Sequence, residues 1–329
     1  MKTIWMTALC AAGMGCAFGL QAQTQTPVQW KLATGYRAES FHTRNLVQFA
    51  QDVEAASSGA LRIEVHANNT LAKLADIPAA VQGGKVQAGE TIMTSLVAEM
   101  PIAGADAVPF VVHSYADARR MWGLQRPLIE GHFARKGLKA LYAVPWPPQG
   151  LFSVAPVKSS ADFKGTRMRT YNPATVRIAE LLGATPVDVP MVEVNKALAG
   201  GQLDSMITSA LTGVENQVWG QIRQYYGIDA WFPKNIVFVN QQAFDALPPP
   251  VRQAVTKAAA EAETRGWAMS EAIAQESVGE LQRKGIKVER PTAELNAELK
   301  RLGERFSREW VRSVGSEANQ LFIPYYTQR

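Results

Sequence analysis

The sequence predicts an α/β protein of two lobes, with mixed but mostly parallel sheets, hinge crossings and a long helix that spans both lobes. Predicted strands alternate with predicted helices, which is typical of parallel sheets covered by helices. The chain of 329 residues exceeds what one core usually organises. A run of helix formers from Pro250 to Lys284 would extend roughly 50 Å at ~1.5 Å per residue, further than one lobe. The alternative is two helices broken near Gly266.

A secretory signal peptide is predicted over residues 1–22. Lys2 precedes an apolar run, and Ala22 offers a small residue for cleavage. The run is short and has no flanking stop-transfer charges, so we do not expect it to span a membrane. Cys10 and Cys16 both lie inside this segment, and the mature chain would therefore have no disulfide. A lipoprotein anchor at Cys16 is the poorer alternative.

The elements before the first crossing follow from hydrophobic spacing and from turn residues. They are a strand at 30–35, a helix capped by Thr43, a strand at 61–66, a helix that ends at Gly83-Gly84, a strand at 87–94, two helices around 117–125 and 127–136, and a strand at 138–144. The proline-rich break at 145–150 then predicts the crossing to the second lobe. After the return crossing we expect a strand at 236–240, the long helix, a strand at 286–289 and a helix at 293–314.

These crossings set the predicted lobe boundaries. The first lobe comprises 23–149 with 235–273, and the second comprises 150–234 with 274–329. Pockets concentrate where domains meet, so we expect the functional site between the lobes.

The segment from Lys164 to Ser209 predicts strand, helix, strand, helix, strand. Asn172 is a good N-cap and Pro173 suits the first helical position, which places Arg169 at the carboxyl end of a strand. Ligands bind at that edge of open α/β sheets. A guanidinium presents a planar fork of donors that a carboxylate can accept in bidentate fashion. The sequence therefore predicts a carboxylate site at Arg169.

Other chemistry has little support in the sequence. The four histidines are scattered without metal-ligand spacing, and there is no nucleophile elbow, phosphate loop or dinucleotide fingerprint. We therefore expect no metal and no cofactor. The net charge of +5 is spread along the chain without basic runs, which argues against nucleic acid as a partner.

The candidate ligand-binding residues are arginines, aromatics and small polar residues, most of them at strand ends and crossings. They are Arg169, Thr208, Trp146, Phe152, Tyr171, Trp231, Asn235, Phe41, Arg37 and Thr94. Each aromatic taken alone is more often a core residue, and it is their coincidence with the crossings that favours a pocket.

Several motifs resemble the solute-binding proteins of TRAP (tripartite ATP-independent periplasmic) transporters. The motifs are Gly59-Ala-Leu-Arg-Ile-Glu-Val, Ala161-Asp-Phe-Lys-Gly-Thr-Arg-Met-Arg, Leu182-Gly-Ala-Thr-Pro, Glu193-Val-Asn-Lys-Ala-Leu-Ala-Gly-Gly-Gln-Leu-Asp and the long helix. The resemblance covers nearly the whole mature chain. It implies a periplasmic-binding-protein fold, periplasmic location and integral membrane subunits as partners.

The resemblance also implies roles for three residues. Arg169 would form the salt bridge with the ligand carboxylate, and Thr208 would occupy a ligand-contact position. Phe152 stands where several relatives carry a second basic contact, so an anion contact would be replaced by an apolar surface. Arg167, although two residues from Arg169, is expected outside the pocket.

These inferences predict a monomeric periplasmic receptor that closes by hinge bending over a small organic monocarboxylate. One arginine neutralises one carboxylate, and the aromatic residues favour an apolar or aromatic body, such as a 2-hydroxy or 2-oxo acid. In the alternative, the aromatics fill cores and Arg37 or Lys234 completes a dicarboxylate site. A periplasmic enzyme that acts on a carboxylate and a ligand-sensing partner of a membrane receptor are the other functional hypotheses.

Overall fold

The computed structural model describes residues 1–2 and 26–327. Residues 3–22 of the predicted signal peptide, which include both cysteines, therefore lie outside the described residues. The strands are β1 (Val28–Ala33), β2 (Leu61–His66), β3 (Ala88–Ile92), β4 (Leu138–Pro145), β5 (Gln149–Ser153), β6 (Arg167–Thr170), β7 (Thr185–Asp188), β8 (Ser205–Ser209), β9 (Gln224–Tyr226), β10 (Lys234–Asn240) and β11 (Lys287–Glu289). The α-helices are α1 (Phe41–Ala56), α2 (Ile77–Gln82), α3 (Tyr115–Arg135), α4 (Pro173–Leu182), α5 (Val194–Ala199), α6 (Ala210–Glu215), α7 (Gln241–Asp245), α8 (Pro249–Arg283), α9 (Ala293–Val314) and α10 (Ser316–Thr327).

The first lobe is built on a five-stranded sheet with the order β2-β1-β3-β10-β4. β1 pairs in parallel with β2 and β3, whereas β10 runs antiparallel to β3 and β4. α1 packs on this sheet through Leu46, Phe49 and Val53, which recur at helical spacing and are buried. α1 begins two residues before the predicted cap Thr43, with Ser40 as its N-cap.

α3 is one helix, so the prediction of two helices with a break before Pro127 was wrong. Proline removes one backbone hydrogen bond from a helix interior. Apolar residues on both sides of it nevertheless share one buried face, among them Met121, Trp122, Ile129 and Phe133. Packing of this face, rather than local propensity, keeps the helix continuous.

The second lobe contains a six-stranded sheet with the order β11-β9-β5-β8-β6-β7. Its centre confirms the predicted strand, helix, strand, helix, strand segment. Asn172 caps α4 by accepting a hydrogen bond from the Thr175 amide, and Pro173 is the first helical residue. Gly183 ends the helix with a φ of 77°, a conformation that glycine adopts without strain. Arg169 therefore lies next to the last residue of β6.

Two segments of chain and one helix connect the lobes. β4 leads into β5 through 146–148, and β9 leads back to β10 through 227–233. α8 is a single helix of 35 residues that packs on α1 and β4 of the first lobe and on α6 and β11 of the second. The predicted long helix is thus confirmed, and the alternative of a break near Gly266 is not observed.

The C-terminal part contains one element that was not predicted. α9 has the predicted bounds, but α10 follows it directly. α10 packs on α3, and the Tyr325 hydroxyl donates to the Val111 carbonyl at 3.0 Å. The predicted boundary placed 274–329 in the second lobe, whereas this last helix contacts the first. The other lobe boundaries stay a prediction.

Candidate functional site

The candidate site is a cavity of about 590 Å³ between the lobes. Its first-lobe wall includes Tyr36, Leu74, Ile92 and Trp146. The second lobe contributes residues from strand ends and from the turns that follow them, including Gln149, Arg169, Tyr171, Pro190, Met191, Thr208, Ser209 and Thr212. The cavity therefore lies at the carboxyl ends of β6 and β8, the edge at which α/β sheets bind ligands.

Arg169 is the buried cation of this cavity. Its side chain is almost fully buried, and Nε donates to the Val189 carbonyl at 2.9 Å. No carboxylate lies within ion-pairing distance of its guanidinium in the part of the chain that the structure describes. Burial lowers the pKa of Arg169 to about 10, so the group stays charged at neutral pH. A buried, charged and unpaired guanidinium is costly unless an anion from outside completes it.

Tyr171 and Gln149 flank the arginine. The Arg169 guanidinium lies over the Tyr171 ring, 4.7 Å from its centre. The Tyr171 hydroxyl donates to Gln149 Oε1 at 3.3 Å, while Gln149 Nε2 donates to the Pro147 carbonyl at 2.8 Å. Burial raises the pKa of Tyr171 to about 12, which keeps the phenol neutral. A neutral hydroxyl and an amide thus lie beside the site for an anion.

Small hydroxyl side chains form the end of β8 and the start of α6. Ser209 caps α6 by accepting a hydrogen bond from the Thr212 amide, and the two hydroxyl groups lie 3.0 Å apart. The Thr208 hydroxyl has no hydrogen-bond partner within residues 26–327. It is therefore available to a ligand.

Asn235 holds the aromatic wall of the first lobe. Its Oδ1 accepts hydrogen bonds from Trp146 Nε1 at 2.9 Å and from the Tyr36 hydroxyl at 3.2 Å. Behind this wall, Phe41 contacts the Trp146 indole with ring centres 5.8 Å apart. Asn235 and Phe41 were predicted to touch the ligand, but the structure places them behind Tyr36 and Trp146.

Four other predicted site residues also lie outside the cavity wall. Phe152 is in the core of the second lobe, where its ring packs on Tyr225 with centres 4.7 Å apart. Trp231 is buried in the crossing segment. The Thr94 hydroxyl accepts from Asn172 Nδ2 at 2.9 Å. Arg37 donates to two carbonyl groups of the second lobe.

Four of the ten predicted residues line the cavity, namely Trp146, Arg169, Tyr171 and Thr208. Their contact with a ligand stays a prediction. Lys234, the alternative second cation, is fully buried in an ion pair with Asp106 at 3.1 Å. Arg167 is about half exposed and pairs with Asp204, because it begins β6 at the opposite end of the sheet from the cavity.

Tyr36, Gln149, Ser209 and Thr212 line the cavity but were not predicted from the sequence. Ser209 and Thr212 carried a usable signal, since a serine three residues before a threonine at the end of a strand is an N-cap pattern. Gln149 lies in the predicted crossing and could have been included. Tyr36 carried no local signal, because its partner Asn235 is 199 residues away in the sequence.

Two lobes that share a cavity are the architecture of solute-binding proteins, which hold a small molecule between them. The chain belongs to the bacterial extracellular solute-binding protein family 7, the DctP family, whose model matches residues 33–312. It is a TRAP-type solute-binding receptor and not an enzyme. Receptors of this family are periplasmic and work with membrane subunits. No described helix is both long and apolar enough to cross a membrane.

Several solved structures resemble this fold closely. One is DctP6 of Bordetella pertussis, an extracytoplasmic solute receptor binding pyroglutamic acid, with 38% identity, a TM-score of 0.89, and coverage of 91% of this chain and 99% of that one. Another is a marine metagenome TRAP solute-binding protein specific for pyroglutamate, with 34% identity, a TM-score of 0.89, and coverage of 92% and 99%. The 2,3-diketo-L-gulonate-binding periplasmic protein YiaO of Escherichia coli is 25% identical over 257 residues, which are 74% of this chain and 76% of that protein.

Proposed function

We propose that this protein captures a small cyclic monocarboxylate of the pyroglutamate type, whose carboxylate pairs with Arg169. The observation that carries the proposal is the buried guanidinium at the cavity wall, which has no acidic partner within ion-pairing distance among residues 26–327. Relatives of 38% and 34% identity that bind pyroglutamate support the ligand class.

The charges around the cavity favour one carboxylate over two. Among the described residues that line the cavity, Lys73 is the other cation, and it is exposed at the rim. Asp188 and Glu193 also lie there and oppose a second anion. Arg37 and Lys234, the alternative cations, already bond to protein groups. A second buried carboxylate without its own cation would cost several kcal/mol, on the order of 2–5.

The remaining lining suits a compact ring with one amide. Leu74, Ile92 and Met191 offer apolar surface to ring methylenes. The Thr208 hydroxyl and the Gln149 amide can exchange hydrogen bonds with a lactam N–H and C=O. An aromatic 2-hydroxy or 2-oxo acid is the second candidate, because Tyr36 and Trp146 could stack on its ring.

The proposed cycle begins with export, cleavage after Ala22 and release of a monomer into the periplasm. A ligand that contacts both walls stabilises the closed arrangement by its differential affinity for the two states. The closed complex then delivers the acid to the membrane subunits.

A thermal-shift and calorimetry screen of the purified mature protein tests this function. The panel contains pyroglutamate, proline, mandelate, benzoylformate, succinate and malate. A ligand that binds only the folded state raises the melting temperature, and we expect the largest increase with pyroglutamate. Proline is the matched control, since it keeps the ring and carboxylate but lacks the lactam carbonyl. Tight binding of succinate or malate alone would contradict the proposal.

A further inference from the structure

Arg37 joins the two lobes beside the cavity. It follows β1 in the first lobe, and its side chain reaches the second lobe. Nη1 donates to the Glu215 carbonyl at 2.9 Å and Nη2 donates to the Val192 carbonyl at 3.3 Å. Val192 lines the cavity, and Glu215 ends the helix α6, whose residue Thr212 lines it too. The arginine therefore bridges two segments that form the second wall.

The guanidinium is suited to this contact. The last carbonyls of a helix have no partner inside the helix and carry a partial negative charge, so a cation is favourable at the end of α6. The planar fork lets one side chain reach two carbonyls in a fixed geometry. Arg37 is partly exposed and does not line the cavity. Its contacts can break when the lobes separate, because water can then solvate every group involved.

A second bond between the lobes lies outside the cavity wall, where Asn172 Nδ2 donates to the Thr94 hydroxyl at 2.9 Å. Asn172 also caps α4, so its substitution would disturb the strand end that carries Arg169. Arg37 begins no helix and is not part of a hydrophobic core, and its contact with the last carbonyl of α6 is itself a bond between the lobes. Substitution of Arg37 therefore removes hydrogen bonds between the lobes and leaves the packing inside each lobe in place.

We propose that Arg37 determines affinity without touching the ligand, by clamping the lobes in the ligand-holding arrangement. The proposal rests on the lobe closure that the proposed function includes. Both hydrogen bonds exist only when the lobes are together, so they lower the free energy of the closed state and not that of the open state. The clamp therefore slows ligand release and leaves the initial encounter unchanged.

Stopped-flow binding kinetics of Arg37→Ala test the clamp, with pyroglutamate as the probe. We expect the dissociation rate to rise about tenfold, which equals ~1.4 kcal/mol, while the association rate stays within about twofold. Arg37→Lys keeps the charge but loses the planar guanidinium that donates to two carbonyl groups at once, and we expect an intermediate dissociation rate. The melting temperature of the ligand-free protein should not change.

Arg44→Ala is the matched control. Arg44 is an exposed arginine of α1 whose charge also acts on Glu215, but it makes no hydrogen bond to the second lobe among the described residues. Its removal should leave both rates unchanged. A wild-type dissociation rate in Arg37→Ala would overturn the clamp, and so would a reduced association rate with unchanged dissociation. Absence of pyroglutamate binding by the wild type would instead overturn the proposed ligand, and the same rates are then measured with the acid that binds in the screen.

Discussion

The Oδ1 atom of Asn235 lies 2.9 Å from Nε1 of Trp146, and this hydrogen bond fixes an aromatic wall of the cavity from behind. Asn235 is fully buried and also accepts from Tyr36. The wall therefore depends on a residue that does not line the cavity. A buried polar group whose partner is removed bears its full desolvation cost.

Asn235→Ala should consequently weaken both folding and binding. It leaves two buried donors unpaired, and we expect the free energy of unfolding to fall by about 2–4 kcal/mol. Ligand affinity should fall as well, since Trp146 and Tyr36 lose their fixed orientation. Chemical denaturation and calorimetry measure the two effects. Asn296→Ala on the exposed face of α9 is the control and should change neither. Unchanged affinity with reduced stability would restrict Asn235 to a role in folding.

Arg169→Ala should abolish binding without reducing stability. Removal of the cation that pairs with the ligand carboxylate should cost on the order of 2–5 kcal/mol of binding free energy. The ligand-free protein should unfold at the same or a higher temperature, because the substitution removes a buried charge that has no acidic partner in the described part of the chain. Arg167→Ala, on the same strand, removes a half-exposed ion pair with Asp204 and a hydrogen bond to the Gly201 carbonyl, both away from the cavity, and should bind normally. Calorimetric affinity like that of the wild type in Arg169→Ala would contradict the proposed salt bridge.

The sequence could predict the position of Arg169 because its determinants are local. Asn172 and Pro173 fix the start of α4 and thereby the end of β6. The position of Phe152 could not be predicted in this way, because the side of the sheet it faces depends on strand pairing. The Tyr225 ring covers the adjacent Gly150, where a Cβ atom would lie 2.4 Å from that ring. Phe152 packs against the same tyrosine in the core.

Long-range contacts also explain the other differences between the predicted and the observed elements. Pro127 favours a break on local propensity, yet the packing of α3 keeps the helix whole. α10 was missed because its amphipathic pattern is short and its partner α3 lies far back in the sequence. The two-lobed fold and the long helix could be predicted, since both depend on element order and helix-forming composition rather than on particular contacts.

Gly266→Ala should destabilise the protein although alanine is the better helix former. A Cβ atom at this position would lie 2.4 Å from Val144 Cγ2, at the contact between α8 and β4. The overlap should cost about 1–3 kcal/mol, more than the ~1 kcal/mol gained in helix propensity.

Gly279 lies in the same helix and is the matched control. The nearest atom to a Cβ at this position is Nη1, at the flexible end of the Arg283 side chain, at 3.4 Å. Gly279→Ala should therefore stabilise α8 by about 0.5–1 kcal/mol. Thermal unfolding of the two variants measures the change in stability that each substitution causes. Stabilisation by both substitutions would contradict the steric role of Gly266.

Glu215 should make folding stability fall as the pH rises from 4.5 to about 7. Burial raises the pKa of its carboxyl group from 4.5 to about 7, although Arg37 and Arg44 oppose this shift and Glu39 adds to it. Between these two values the folded chain binds more protons at this site than the unfolded chain, so the contribution of Glu215 to stability is complete below pH 4.5 and is lost as the pH approaches 7.

The substitution Glu215→Gln keeps the shape of the side chain and removes its ionisation. We expect it to raise the free energy of unfolding at pH 8 by on the order of 2 kcal/mol relative to wild type, and to change it little at pH 4. Denaturant unfolding across this pH range measures the difference. Glu193→Gln removes an exposed carboxylate at the cavity rim and is the control, since a surface substitution should change the free energy of unfolding little. A Glu215→Gln profile parallel to that of the wild type would show that Glu215 ionises at its ordinary pKa.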